Sequence, residues 1–342
     1  MIDIQIGDSR KLIKMVDGQP FDCIMTSPPY WGLRDYGHDD QIGLESTPEE
    51  YLKTMLNLFD DIKLKLKDTG NCFVNLGDTY AGSWGNYGNR PELTGATNNQ
   101  RDKNTDSFNR PGIDINVNPP TSKKHDIIKP KSLCMIPERF AWGMIEHGWI
   151  LRNKIIWHKP NHMPESVTDR LTKSHEVIYH FVKQQKYYYD LDAVREPLKE
   201  SSIKRMSQNI EKQKGSFRGE VDKGNYKHNG PMKAICNSNG VNPGDVWQIN
   251  TQPYSDAHFA VFPLELVRRP ILAGCPLRGH VLDPFGGSGT VAEFCRKNDR
   301  DCTIFELNPE YKRLINERSM SKYPELGTYS SDDKGCVSIF EP

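Results

Sequence analysis

Residues 26–30 read Thr-Ser-Pro-Pro-Tyr and close the short apolar run Phe21-Asp22-Cys23-Ile24-Met25, the kind of segment that makes a buried strand. Two consecutive prolines fix φ and give up their N–H groups, so the backbone there is extended and its carbonyls point in set directions. The turn has two readings. It is either a stiff structural corner with a surface Tyr30, or a device that presents a hydroxyl (Ser27), a pre-aimed carbonyl (Pro28) and a ring face (Tyr30) to a ligand.

A second constellation, VLDPFGGSGTV at 281–291, has the form of a strand, a glycine turn and a helix start, with Glu306 closing the next strand. Glycines let backbone approach a ligand closely, a helix N-terminus offers free N–H groups, and a strand-end acid can hold two ribose hydroxyls. That describes a site for a nucleoside cofactor. Residues 287–292 (GSGTVA) also fit the dinucleotide pattern G-x-G-x-x-A, which keeps an NAD-dependent oxidoreductase open. Position separates the two. A dinucleotide fold begins with this loop, whereas here one strand and one helix follow it before the tail, so the other strands of the sheet must come from the N-terminal half.

The elements that position these residues follow from periodicity and turn signals. Strands are expected at 2–6, 21–25, 72–76, 150–157, 176–182, 280–282 and 302–306, and helices at 9–15, from Pro48, at 137–147, from Pro263 and from Pro309, with a further helix after the glycine turn. Thr47, Pro48 and Glu50 form a capping box with proline at the first helical position, and Gly70 is expected to end that helix. The helix from Pro263 is expected to break at Pro270. Alternation of this kind predicts a parallel α/β sheet. Both TSPPY and the glycine loop then leave one carboxyl edge of neighbouring strands, where open α/β sheets bind ligands.

Composition sets the outer limits. With 36% hydrophobic residues in 342, the chain can bury a core, and no apolar run reaches membrane-span length, so a cytoplasmic protein without a membrane partner is expected. The eight cysteines are scattered without a C-x-x-C pair, so neither a zinc site nor a disulfide framework is expected. Lys+Arg and Asp+Glu both number 45, so any basic surface is local; from Arg195 to Lys233 ten basic residues face five acidic ones. That stretch reads as a solvated loop or as a polyanion contact.

The ordered motifs resemble those of DNA amino-methyltransferases that use S-adenosyl-L-methionine, in the β arrangement, where the catalytic motif precedes the cofactor loop. TSPPY resembles their [DNS]-P-P-[YFW] motif, IQIGDS their adenine-contacting acid at Asp8, RNKIIWHKPNHMPES the strand and loop beside the target base, HFAVFPLELVRRPI the helix start at the methionine end, and DPFGGSGT the F-x-G-x-G loop. The resemblance covers most of the chain. It implies a Rossmann-like seven-stranded mixed sheet with helices on both faces in permuted order. The implied catalytic residues are Ser27, Pro28, Pro29 and Tyr30, and the implied cofactor residues are Asp8, Thr26, His258, Phe259, Asp283, Phe285, Gly287, Gly289, Thr290 and Glu306. Trp31, Arg34, Trp157, His158, Lys159, Arg205 and Arg218 are expected at the DNA, although core packing or capping accounts for Trp31, Trp157 and His158 equally well.

The implied organisation is a catalytic part at 1–190 with a loop insertion at about 81–130, a target-recognition insertion at 191–250, a cofactor part at 251–325 and a tail at 326–342. Double-stranded DNA is the implied partner, a cognate restriction endonuclease would act separately, and the chain would be a monomer or dimer. No Pro-Cys dipeptide occurs, which sets aside methylation at cytosine C5, where a cysteine nucleophile attacks the ring. Ser27 stands where many adenine-specific relatives carry Asp, so N4 of cytosine is the expected target and N6 of adenine the alternative. An RNA or protein amino-methyltransferase and a silent DNA-binding relative stay open too.

Overall fold

The computed structural model describes residues 1–33, 38, 40–82, 125–198, 200–201, 239–251 and 263–320. In chain order the elements are β1 (Ile2–Ile6), α1 (Ser9–Met15), β2 (Phe21–Thr26), α2 (Pro48–Lys65), β3 (Leu66–Leu76), α3 (Ile136–Glu146), β4 (Ile150–His158), β5 (His175–Val182), β6 (Val246–Gln248), α4 (Leu264–Gly274), β7 (His280–Asp283), α5 (Thr290–Lys297), β8 (Asp301–Glu306) and α6 (Tyr311–Met320). The strands form one sheet in the order β1-β8-β7-β2-β3-β5-β4-β6. All neighbours are parallel except β5, which is antiparallel to β3 and β4, so the sheet is mixed as expected. The eighth strand is β6, a three-residue edge strand parallel to β4 whose brevity hides it from any periodicity.

Alternation along β2 shows how the sheet is sandwiched. Phe21 and Ile24 join a core with Ile13 of α1, Met55 and Phe59 of α2 and Phe140 of α3. Cys23 and Met25 face the other way, onto Leu266 and Ile271 of α4, Val291 of α5 and Ile315 of α6. Helices α1–α3 therefore cover one face and α4–α6 the other, and the central strand is buried from both sides.

Thr47 caps α2, its Oγ1 accepting from Glu50 N at 3.2 Å, and Pro48 occupies the first turn. Two expectations fail. Gly70 does not end this helix, which closes at Lys65; β3 starts at once with Leu66 and runs through Gly70. The glycine is needed for close approach, because a Cβ there would lie 2.5 Å from Leu66 Cδ1 and 3.0 Å from the Asp22 carbonyl. Nor does Pro270 break α4, which continues to Gly274. Burial of Leu266, Val267 and Ile271 on both sides of the proline outweighs the lost hydrogen bond and ring clash, a cost of about 3 kcal/mol.

Candidate active site

The carboxyl ends of β1, β8, β7, β2 and β3 lie side by side along one edge of the sheet. On the cofactor side, β7 ends at Asp283 and the chain turns through Pro284–Gly289 into α5. Gly286 packs so closely on β8 that a Cβ would sit 2.1 Å from Ile304 Cγ2. Gly287 and Gly289 have φ of 51° and 81°, the left-handed region in which glycine alone is unstrained. The loop is fixed from outside as well: Arg318 of α6 donates to Ser288 Oγ at 2.6 Å while pairing with the buried Glu293 of α5.

Glu306, at the end of β8, accepts from Gly287 N at 2.7 Å and Asn308 N at 2.8 Å, and burial raises its pKa. Its backbone carbonyl takes Gly7 N at 2.8 Å, which sets the end of β1 against the loop. Asp8 follows, capping α1 through Arg10 N at 2.9 Å and pairing with the Arg10 guanidinium. Burial works to raise its pKa, and the Arg10 hydrogen bonds and charge prevail, so the carboxyl lies below its ordinary value. Ser9 Oγ donates to the Pro284 carbonyl and ties α1 to the same loop.

Asp283 is fully buried, and burial, with Glu306 nearby, pushes its pKa up to about 7 against the hydrogen bonds from Thr26 and Phe285 N. Its Oδ1 accepts Thr26 Oγ1 at 2.7 Å and Phe285 N at 3.1 Å, whereas Oδ2 is buried with no protein donor. A buried oxygen without a donor is costly unless a ligand supplies one. Together with the glycine cradle and the Glu306 carboxylate, this fits S-adenosyl-L-methionine. Glu306 would hold its ribose, Gly286–Gly289 would admit its backbone-close portion, and the group would supply an electrophilic methyl on a sulfonium.

The Ser27–Tyr30 turn leaves β2 beside this loop. Pro28 is buried, and the Pro29 carbonyl is held by the Tyr51 phenol of α2 at 2.9 Å. Tyr30 lies over Gly77, where a Cβ would come within 2.5 Å of Tyr30 Cε2, and its Oη donates to Glu176 Oε2 at 2.8 Å. Asn75 of β3 donates towards Ser27 Oγ at 3.2 Å, Tyr30 Oη at 2.8 Å and Glu176 Oε2 at 3.1 Å. Lys159, just past β4, pairs with Glu176 Oε1 at 2.5 Å. Burial alone would raise the Glu176 pKa; the Lys159 charge and these hydrogen bonds bring it below the ordinary value, so the carboxylate is ionised.

The structure therefore brings Asp8, Thr26, Ser27–Tyr30, Lys159, Asp283, Phe285, Gly287, Gly289, Thr290 and Glu306 to one edge. Two expected DNA contacts need correction. Trp31 and Trp157 are core residues, 5% and 3% exposed, with their indole N–H groups given to the carbonyls of Glu45 and Ile249 at 2.9 Å. His158 ends β4 half-buried, its backbone carbonyl taking Ile249 N. Arg34, Arg205, Arg218, His258 and Phe259 lie outside the described residues. Asn75, Glu176, Tyr51 and Gly77 join the site without being expected from the sequence. Gly77, placed just after a strand, is the one that carried a signal.

An adenosine-cofactor loop and an S-P-P-Y turn on one edge of a mixed sheet define a class I methyltransferase fold. The chain belongs to the DNA methylase family, whose model matches residues 21–317, and it is an S-adenosylmethionine-dependent enzyme. Among similar proteins, the type II methyltransferase M.SmaI of Serratia marcescens is 39% identical over 93% of this chain and 91% of its own length. M.Cfr9I of Citrobacter freundii is 41% identical over 89% and 83%. Among solved structures, the cytosine-N4-specific PvuII DNA methyltransferase superposes with a TM-score of 0.58 at 18% identity, covering 94% of this chain and 87% of that one. A Thermus thermophilus protein solved with S-adenosyl-L-methionine gives 0.51 at 17% identity over 93% and 95%. Among the described residues no helix is long and apolar enough to cross a membrane.

Proposed function

We propose that this enzyme transfers a methyl group to the exocyclic N4 amine of cytosine in double-stranded DNA, with the target base turned out of the helix. The observation that carries the reading is Ser27 at the head of the turn, one residue from Thr26, whose hydroxyl is anchored on Asp283 at the cofactor loop. The amine of a nucleobase is a poor nucleophile because its lone pair is conjugated into the ring. Ser27 Oγ accepts one N–H and the Pro28 carbonyl the other, which draws the nitrogen towards tetrahedral geometry and frees the lone pair. The Pro29 carbonyl is engaged by Tyr51, so the acceptor role falls to Pro28. A stacked amine is out of reach, and Tyr30 gives an extruded base a ring to rest on.

Relatives described as type II methyltransferases support placing the enzyme as the modifying half of a restriction-modification pair, whose nuclease acts separately on the same DNA in the cytoplasm. Sequence choice is assigned to the insertion at 191–250, with the loop at about 81–130 as a second DNA-facing segment. The direct test incubates the protein with labelled S-adenosylmethionine and mixed-sequence duplex DNA and identifies the methylated nucleoside by mass. N4-methylcytosine is expected. N6-methyladenine overturns the base assignment, and label in RNA or protein alone overturns the substrate.

A further inference from the structure

If Tyr30 served only as a stacking platform, a phenylalanine would do as well. Its phenol instead joins a connected polar chain. Ser27 Oγ and Tyr30 Oη share the Asn75 amide as a neighbour, and Tyr30 donates to Glu176 Oε2 at 2.8 Å. Asn75 Nδ2 lies within hydrogen-bond distance of all three, at 3.2, 2.8 and 3.1 Å. Glu176 Oε1 is capped by Lys159, whose ammonium also lies 4.2 Å from the centroid of the Trp157 ring. These groups come from the ends of β2, β3, β4 and β5, so four strand ends hold one largely buried carboxylate ionised beside the reacting centre. Such a charge is expensive to bury. The two titratable groups facing it are Lys159 and Tyr30.

Resting on the function proposed above, we infer that Ser27, Tyr30 and Glu176 form the route by which the amine loses its proton, with Asn75 and Lys159 as positioning residues. As the nitrogen lone pair forms the N–C bond, the methyl–sulfur bond breaks and its electron pair stays on sulfur. The N–H proton passes to Ser27 Oγ, the serine proton to Tyr30 Oη and the tyrosine proton to Glu176 Oε2. No charge remains on the nitrogen, the hydroxyl or the phenol, and the carboxylate ends neutral. Burial and the Glu176 charge raise the Tyr30 pKa, which keeps the phenol protonated and able to pass a proton on. The Glu176 side chain is 14% exposed, enough to return its proton to water between turnovers.

The test uses the full-length enzyme with Glu176→Gln, Tyr30→Phe and the double variant. Single-turnover methyl transfer to duplex DNA, KM for DNA and the dissociation constant for S-adenosylmethionine are measured for each. Each single variant is expected to slow methyl transfer at least about a hundredfold, in the range of acid–base contributions, with KM and cofactor affinity within about twofold of wild type. The double variant should be no slower than either single one, because both cut the same route. A wild-type rate in Glu176→Gln, multiplying penalties in the double variant, or a raised KM with unchanged rate would overturn the route. Should Glu176→Gln melt early, Tyr30→Phe decides alone, since it removes only the phenol: a wild-type rate there overturns the proposal. Absence of any methylated base in DNA with wild type overturns the function and the route together, N6-methyladenine overturns the base assignment alone, and wild-type product with unaffected variants overturns the route only.

Discussion

Thr26 Oγ1 donates to Asp283 Oδ1 across 2.7 Å of buried sheet, joining residues 257 apart in sequence. One is the last residue of the strand that leads into the Ser27–Tyr30 turn and the other the last residue of the strand that leads into the glycine loop. The two halves of the site are thus held together by one short hydrogen bond as well as by the β2–β7 pairing.

On the proposed function, Ser27→Ala removes the acceptor that reshapes the amine, together with the 3.2 Å contact from Asn75. Methyl transfer is expected to fall by about a hundredfold or more while the equilibrium affinity for S-adenosylmethionine is kept. Equal loss of both would show that Ser27 holds the cofactor.

Gly77→Ala puts a methyl group 2.5 Å from Tyr30 Cε2. The ring must move, and with it the phenol bonded to Glu176. Turnover should drop at least about tenfold, since small misplacements of a positioned group are costly, with cofactor affinity unchanged by calorimetry. Wild-type turnover would mean that the Tyr30 position is not needed.

Glu306→Ala deletes the carboxylate that receives Gly287 N and Asn308 N. Cofactor affinity should fall by roughly ten- to a hundredfold, the size of about 1.5–3 kcal/mol for hydrogen bonds to a charged group, and the melting temperature should fall with it. Unchanged affinity in equilibrium dialysis would remove Glu306 from the site.

Asp283 ties stability to pH. Its folded pKa, near 7, lies above the ordinary 3.8, so between about pH 4 and 7 the folded state binds the extra proton and stability falls as pH rises, levelling off above about 7. His180 works in the opposite direction: burial against Phe73, 4.3 Å between ring centroids, pushes its pKa down to about 3, so its contribution rises with pH up to about 6.5. The measurement is therefore a difference. Asp283→Asn keeps an acceptor for Thr26 and carries no charge; its melting temperature relative to wild type should rise from pH 5 to 7 and stay flat above. A difference independent of pH would mean that Asp283 is ionised throughout.

Much of this was legible because local rules generate it. The alternation of 2–6, the Thr47-Pro48 start and the glycine turn at 286–289 each carry their own signal in a few adjacent residues. Asn75 and Glu176 carry none. They meet because β5 runs antiparallel to β3 in a register that pairs Asn75 with Ile178, a choice made by the whole sheet. The fold buries Trp31 and Trp157, for which the resemblance implied a base contact and core packing accounted equally well. Gly70 and Pro270 misled for a related reason: each was read as a local breaker, whereas tight packing set the outcome.

Placing β2 between β3 and β7 has a consequence for biosynthesis. Ribosomes add roughly 5–20 residues per second, so about 13–50 s separate the emergence of Thr26 from that of Asp283, 257 residues later. For that interval β2 can pair with β3, but the edge that will receive β7 is open, on a strand whose Phe21, Cys23, Ile24 and Met25 are destined for the core. An unpaired apolar edge of this kind recruits other chains. That edge therefore needs shielding, as by chaperones, until the far end of the chain arrives to cover it.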